Sequence, residues 1–218
     1  MKKQVLVIGL GQFGMSLVRS LSELDAEVIA VDRSPDKVRA VAQIAASVSC
    51  IDATNEHELS KLAPERRDVC ICAIGDESRE SSIICTALLR QLGARLVLSR
   101  ATDALHERIL GLVGAHEIIN PENVVGKRVA LRVAHEGLVE QLPLGDGLVL
   151  TQLEPPGSFI GRSLAELRIQ TLYQITVVAV RRADQVYQPT ADTVITAGDL
   201  LIVVSHPGAV GDMVRKVR

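Results

Sequence analysis

Six short runs of apolar, largely β-branched residues recur along the first half of the chain. They are QVLVI (4–8), EVIAVD (27–32), SVSCI (47–51), DVCICAI (68–74), RLVLS (95–99) and HEII (116–119), and each is followed by a turn and a segment of helical period. A strand that is apolar at nearly every position has no face to turn to water, so it must be covered on both sides. Strands joined through helices rather than tight hairpins pair in parallel, with helices on each face of the sheet. The sequence therefore predicts an α/β fold whose first lobe is a Rossmann-like, doubly wound parallel sheet.

The stretch 120–141 reads as one longer crossover helix, opened by Asn120 as N-cap, Pro121 at the first helical position and Glu122 in the first turn. Its apolar face carries Val125, Val129 and Val133, which can pack back on their own domain or cross to a second subunit. After LPLGDG (142–147) the pattern changes: TQLEPPGS is a strand into a turn, SLAELRI a short helix and ITVVAVRR a strand. A polar hairpin at Ala183-Asp184-Gln185, a turn and strand in AGDLLIVVS and a terminal helix follow. The expected organisation is an N-terminal domain with its crossover helix at 1–141 and a small α+β C-lobe at 142–218.

The first strand hands over to the first helix through VIGLGQFG, whose Gly9, Gly11 and Gly14 have the G-x-G-x-x-G spacing. In that arrangement Gly9 makes the tight turn, Gly11 lets backbone approach a phosphate and Gly14 permits close helix-to-strand packing, while the helix N-terminus offers N–H groups to an anion. Gln12 and Phe13 lie within the same turn. Asp32 ends the second strand about 20 residues further on, where a carboxylate accepts both hydroxyls of an adenosine ribose. An acid there repels a 2′-phosphate, which disfavours NADP although Arg33 follows directly; NAD(H), ADP and ATP remain.

Six further positions complete the expected adenine-nucleotide site. Asp52 and Ala53 end the third strand in IDAT, where Asp52 can approach the adenine edge or cap the turn beside Thr54 and Asn55. Ala73, Ile74 and Gly75 end the fourth strand at the crevice where the strand order reverses, letting a base or ribose lie against backbone. Arg100, just beyond the fifth strand, is the cation placed to reach phosphate from the opposite wall.

Composition narrows the function. A formal net charge of −2 gives no electrostatic attraction to nucleic acid, and aromatic residues at 2% offer no stacking platform for bases. No apolar run approaches the ~20 residues that span a bilayer, and Met1-Lys2-Lys3 leads straight into a strand, so an intracellular soluble protein is expected. Cys50, Cys70, Cys72 and Cys85 lack C-x-x-C spacing and read as reduced core residues. Hydride transfer needs a poised proton donor beside the nicotinamide. His206, Tyr173 and Tyr187 have no paired base, and His57, His106, His116 and His135 fall where surface or capping histidines are expected. An NAD-dependent oxidoreductase is thus the alternative reading, and no catalytic constellation assembles for it.

The order of motifs carries a resemblance. VIGLGQFG, VIAVDRSPDKV, IDATNEHEL, ICAIGDES, ILGLVGAHEIINPENVVGKRVA, LEPPGSFIGRSLAEL and VVAVRRADQVYQPTADTVITAGDLLIVV together resemble the RCK family, the cytosolic regulatory domains of potassium channels and transporters, and most of all its Ktr/Trk-type regulatory subunits. The resemblance implies a non-enzymatic, nucleotide-sensing gating subunit of a membrane-embedded potassium transporter. It would lie in the cytoplasm at the inner face of the cell membrane, as homodimers assembled into an octameric ring. By the same resemblance Gly9, Gly11, Gly14, Asp32, Asp52 and Arg100 match nucleotide contacts. Glu122 matches a carboxylate that holds a cation at a subunit interface, although a first-turn acid also has a local reason to exist at a helix N-terminus. Two departures stand out. Close relatives often read G-L-G-R-F-G, with the arginine reaching the terminal phosphate of ATP, where this chain has Gln12. Some relatives bind cyclic di-AMP using an arginine in a V-R-A-x-Y-G stretch, whose arginine and glycine are replaced here by Gln170 and Gln174, so that ligand is not expected.

Overall fold

The strands without a wet face do assemble into one parallel sheet. The computed structural model describes residues 2–75, 78–134 and 137–217. In chain order the first lobe holds β1 (Gln4–Ile8), α1 (Gln12–Glu23), β2 (Glu27–Asp32), α2 (Pro35–Val41), β3 (Ser47–Cys50) and α3 (Glu56–Ser60). Then come β4 (Val69–Cys72), α4 (Arg79–Gln91), β5 (Val97–Arg100), α5 (Ala104–Leu112) and β6 (Glu117–Ile119). The sheet order is β3-β2-β1-β4-β5-β6 with every pairing parallel, so the order reverses between β1 and β4. That reversal leaves a crevice at the carboxyl ends of the two strands.

Alternation along β1 shows why both faces must be covered. Val5 and Val7 join Val28, Ala30, Val69 and Ile71 under Val18, Val38 and Val41 of α1 and α2. Leu6 and Ile8 face the other way, into a layer with Cys70, Cys72, Cys85, Leu59 and Leu89 from β4, α3 and α4. Three cysteines are therefore core residues as expected, and burial pushes the Cys70 thiol up to about 12. Cys50 is not: it lies exposed on the edge strand β3, its Sγ 3.5 Å from the Arg33 carbonyl. His106 also departs from expectation, since it is buried and its Nδ1 accepts from the Thr102 amide at 3.3 Å. His116 Nδ1 accepts from the Val97 amide at 2.9 Å, and His135 lies outside the described residues.

The chain divides into two compact units, Met1–Asn123 and Val124–Arg218. Helix α6 (Pro121–Ala134) stops short of the expected residue 141, because Leu138–Gly145 forms a strand, β7. It pairs with β8 (Leu148–Leu153) through a turn in which Gly145, Asp146 and Gly147 all have positive φ. Leu138 and Leu142, spaced four apart, mimic a helical stripe, but Pro143 cannot continue a helix. None of the residues of α6 is buried within the chain, and Val125, Val129 and Val133 stay 48–79% exposed.

After β8 come α7 (Leu164–Leu167), α8 (Ile169–Tyr173), β9 (Thr176–Arg182), β10 (Gln185–Tyr187), β11 (Leu200–Ser205) and α9 (Ala209–Val217). Five antiparallel strands in the order β10-β9-β11-β8-β7 form this lobe's sheet. Its core gathers Leu153, Phe159, Leu167, Ile175, Val180, Ile195, Leu201 and Met213. A capping box between Ser163 and Glu166 starts α7. One buried acid organises the turn before β11. Asp199 accepts from Arg182 Nε and Nη2 at 2.8 and 2.9 Å and from the Thr196 amide at 2.8 Å, while the guanidinium stacks on Tyr187.

Arg182, followed by the Thr196 amide and hydroxyl, holds the Asp199 carboxyl down at about 2 against an ordinary 3.8. A depressed carboxylate stabilises the fold above its unfolded pKa and loses that contribution as pH falls toward the folded one. The urea midpoint of the wild type should therefore exceed that of Asp199→Asn by a constant margin above pH 4, and the margin should shrink between about pH 4 and pH 2. A margin that does not change over this window would refute the assignment. Gly14→Ala should cost about 1–3 kcal/mol of stability, because the added Cβ would sit 1.9 Å from the Gly9 carbonyl oxygen, a backbone atom. Gly11→Ala, with nothing within 4 Å of its Cβ, should cost less than about 1 kcal/mol in the same thermal melts.

Candidate functional site

The glycine turn between β1 and α1 owes its path to two close approaches. Gly9 has φ 94° and its N–H donates to the Val31 carbonyl at 2.8 Å; a Cβ there would meet the Ile74 backbone nitrogen at 2.8 Å. Gly14, one turn into α1, lies directly against Gly9. Together these contacts bring the start of α1 beside the end of β4. No side chain caps α1 and its first turn contains no acid, so its positive end is left for another anion.

Beside this turn, at the crevice where the strand order reverses, lies a cavity of about 360 Å³. Gly9, Gly11, Gln12, Asp32, Arg33, Asp52, Ala53, Ala73, Ile74, Gly75, Arg100 and Glu122 all line it, so almost every residue singled out in the sequence arrives at one place. Phe13 and Gly14 do not line it but support it. Gly14 packs on Gly9, and the Phe13 ring lies beneath the Arg100 guanidinium, 5.8 Å from centroid to Cζ.

Asp32 is 8% exposed, and its carboxylate is shared between two turns. Oδ2 accepts from the Leu10 amide at 2.7 Å and Oδ1 from the Ser34 amide at 2.8 Å. Each oxygen keeps a second lone pair for a ligand hydroxyl. For Asp52 the sequence left two readings, and the capping one is realised: Oδ1 accepts from the Thr54 amide at 2.9 Å and its hydroxyl at 2.7 Å. Those two bonds, the amide first, hold its carboxyl below the usual range, so it is anionic where it meets the cavity.

Arg100 sits differently from expectation. It is the last residue of β5, in register with Ile119, rather than beyond the strand. Its side chain, 12% exposed, runs over Gly75 and ends on Glu122, Nη2 to Oε1 at 2.5 Å. The space left by the missing side chain of Gly75 is used by this guanidinium, since a Cβ would fall 2.3 Å from Nη1. Glu122 thus engages a cationic side chain, and among the described residues no cluster of three or more His, Cys, Asp or Glu side chains could hold a metal ion.

Lys37, Thr54, Ser78 and Ser81 also line the cavity and were not anticipated. Ser78 N-caps α4, accepting from the Ser81 amide at 3.2 Å, and the Ser-x-x-Ser spacing before an amphipathic run was a legible signal for it. Lys37 lies in α2, five positions beyond Asp32, with no motif to mark it. Asp76 and Glu77 lie outside the described residues. No histidine or tyrosine is among the described residues that line the cavity.

Comparison with known proteins places this geometry in context. Residues 5–121 match the TrkA-N domain and residues 150–218 the TrkA-C domain. The chain is 36% identical over 216 residues to the Ktr system potassium uptake protein C of Bacillus subtilis, covering 99% of this chain and 96% of that protein. It is 31% identical to the Ktr system potassium uptake protein A of Vibrio alginolyticus, covering 93% and 92%. Among solved structures the GsuK RCK domain superposes with a TM-score of 0.70 at 17% identity, over 100% of this chain and 48% of that one. The GsuK channel bound to NAD gives 0.71 at 18%, over 100% and 39%, a likeness of fold. With both domains matched in order and Ktr proteins similar over nearly their full length, the chain belongs to the RCK family of Ktr and Trk potassium uptake proteins.

Proposed function

We propose that this chain is a cytosolic, nucleotide-sensing gating subunit of a potassium uptake system, acting by binding rather than by catalysis. The observation that carries the reading is the cavity at the switch point, where a glycine turn and an uncapped helix N-terminus face a buried carboxylate with lone pairs to spare. A ribose fits the carboxylate and phosphates fit the helix end, which is the chemistry of an adenine nucleotide: ATP, ADP, NAD or NADH. The family supports a transporter partner, and no described helix is long and apolar enough to cross a membrane, so the pore belongs to that partner. The exposed Val125, Val129 and Val133 support self-association, as a homodimer and then an octameric ring. A cation at Glu122 would draw its remaining ligands from the nucleotide's phosphates or a neighbouring subunit. A ligand moves such a ring only through its differential affinity for two ring shapes, typically about 1–3 kcal/mol.

Calorimetric titration with ADP, ATP and NADH tests the site. Asp32→Asn keeps the shape of the side chain but removes its charge and turns one acceptor oxygen into a donor, which faces the Leu10 or Ser34 amide, so a thermal melt beside the titration checks that the turn survives. The substitution should weaken all three ligands by at least about tenfold, or ~1.4 kcal/mol. Unchanged affinity would remove Asp32 from the site. Growth of a deletion strain at limiting potassium tests the partner, and the oxidoreductase reading predicts NADH consumption where none is expected.

The neutral Gln12 lines the cavity at the position where the family resemblance implies an arginine, so the wild type should prefer ATP over ADP by less than about tenfold. Gln12→Arg should raise ATP affinity relative to ADP. A wild-type preference well beyond tenfold would assign the terminal phosphate to Lys37 or Arg100 instead.

A further inference from the structure

Arg100 and Glu122 meet at the rim of the cavity with unequal freedom. The guanidinium is fixed on three sides: it lies over the Phe13 ring, it fills the space above Gly75, and it ends on the Glu122 carboxylate at 2.5 Å. Its side chain is 12% exposed and that of Glu122 is 61% exposed. Packing holds the arginine in place whether or not its carboxylate partner stays, whereas the glutamate can swing into water at little cost. A phosphate oxygen makes the same charge-assisted bond to a guanidinium that a carboxylate oxygen makes. Resting on the nucleotide reading above, we infer that Glu122 is an internal competitor for the phosphate end of the ligand. It holds the terminal nitrogen of Arg100 and must give it up when a nucleotide di- or triphosphate binds.

The consequence is a charge filter. A neutral nucleoside gains nothing from Arg100 and leaves the pair closed, while a polyphosphate opens it at the cost of a partly exposed ion pair. Since Glu122 lies in the first turn of α6, each binding event also changes the charge partner of that helix's N-terminus. Among the described residues the remaining charged groups of the cavity are Asp32, Arg33, Lys37 and Asp52, and Asp32 and Asp52 are engaged by backbone amides.

A double-mutant cycle tests the exchange, by calorimetry in EDTA with ADP, ATP and adenosine as probes on the full chain, with folding checked by thermal melts. Glu122→Gln should tighten ADP and ATP by about two- to fivefold, the range expected for an ion pair with one exposed partner, and leave adenosine unchanged. Arg100→Gln should weaken the nucleotides, and in that background Glu122→Gln should have no further effect, because the competitor has lost what it competes for. Equal tightening in both backgrounds would show simple repulsion of phosphate by Glu122 and overturn the exchange, as would no tightening in the wild-type background. Arg100→Lys, which keeps the charge without the planar fork, serves if Arg100→Gln melts early, and the same loss of coupling is expected with a smaller amplitude. Wild-type protein that binds neither adenosine nor nucleotide would bring down the nucleotide reading and this inference with it. Wild-type binding with an unresponsive Glu122→Gln would bring down this inference alone.

Discussion

The carboxylate of Asp32 is the joint on which the site is built. A buried anion is costly unless it is fully engaged, and here its two oxygens take the amides of Leu10 and Ser34, one from each of the turns that flank the cavity. The same group therefore fixes the path of the glycine turn, ties it to the start of α2 and presents an acceptor surface to whatever enters. That structural role accounts for a carboxylate buried to 8% exposure. Gly9 and Gly14 complete the joint from the other side, because their contact sets how closely α1 approaches β1 and the end of β4.

That joint could not exist without the sheet beneath it. β1 is central and buried on both faces, so its register with β2 and β4 is locked by two separate core layers. The carboxyl ends of β1, β2 and β4 are thereby held side by side, and Gly9, Asp32 and Ala73 emerge at neighbouring points. Three distant parts of the chain thereby converge on one cavity.

The legible part of the sequence was the part governed by period and by steric need. Strands with no wet face, a glycine whose Cβ would strike backbone, and an acid at a strand end each leave a local mark, and they gave the N-lobe fold and most of the cavity wall. What escaped depends on tertiary placement. Lys37 reaches the cavity only because α2 packs on a particular side of β2, and Ser81 only because α4 begins at the crevice. Arg100 and Gly75 were both noted, but that the arginine occupies the glycine's vacant space is a relation between two strands that neither motif contains. β7 was hidden for a different reason: with its outer half exposed, it shows Leu138 and Leu142 at a spacing that suits a helix as well as a strand. Cys50 and His106 were assigned by residue type, and the edge position of β3 and the depth of α5 reversed both.

The charge balance of the cavity links these observations to function. Its described walls hold three acids, Asp32, Asp52 and Glu122, and three cations, Arg33, Lys37 and Arg100, so the formal charges cancel. A ligand carrying two or three phosphates upsets that balance, and it can be restored by withdrawing an acid or by recruiting a cation. Withdrawal is not equally easy for the three. Asp32 would orphan the amides of Leu10 and Ser34, and Asp52 would release the Thr54 turn, whereas Glu122 has one partner in Arg100 and most of its surface already in water. The carboxylate most easily displaced from Arg100 stands on the first turn of α6, the helix on which Val125, Val129 and Val133 are exposed.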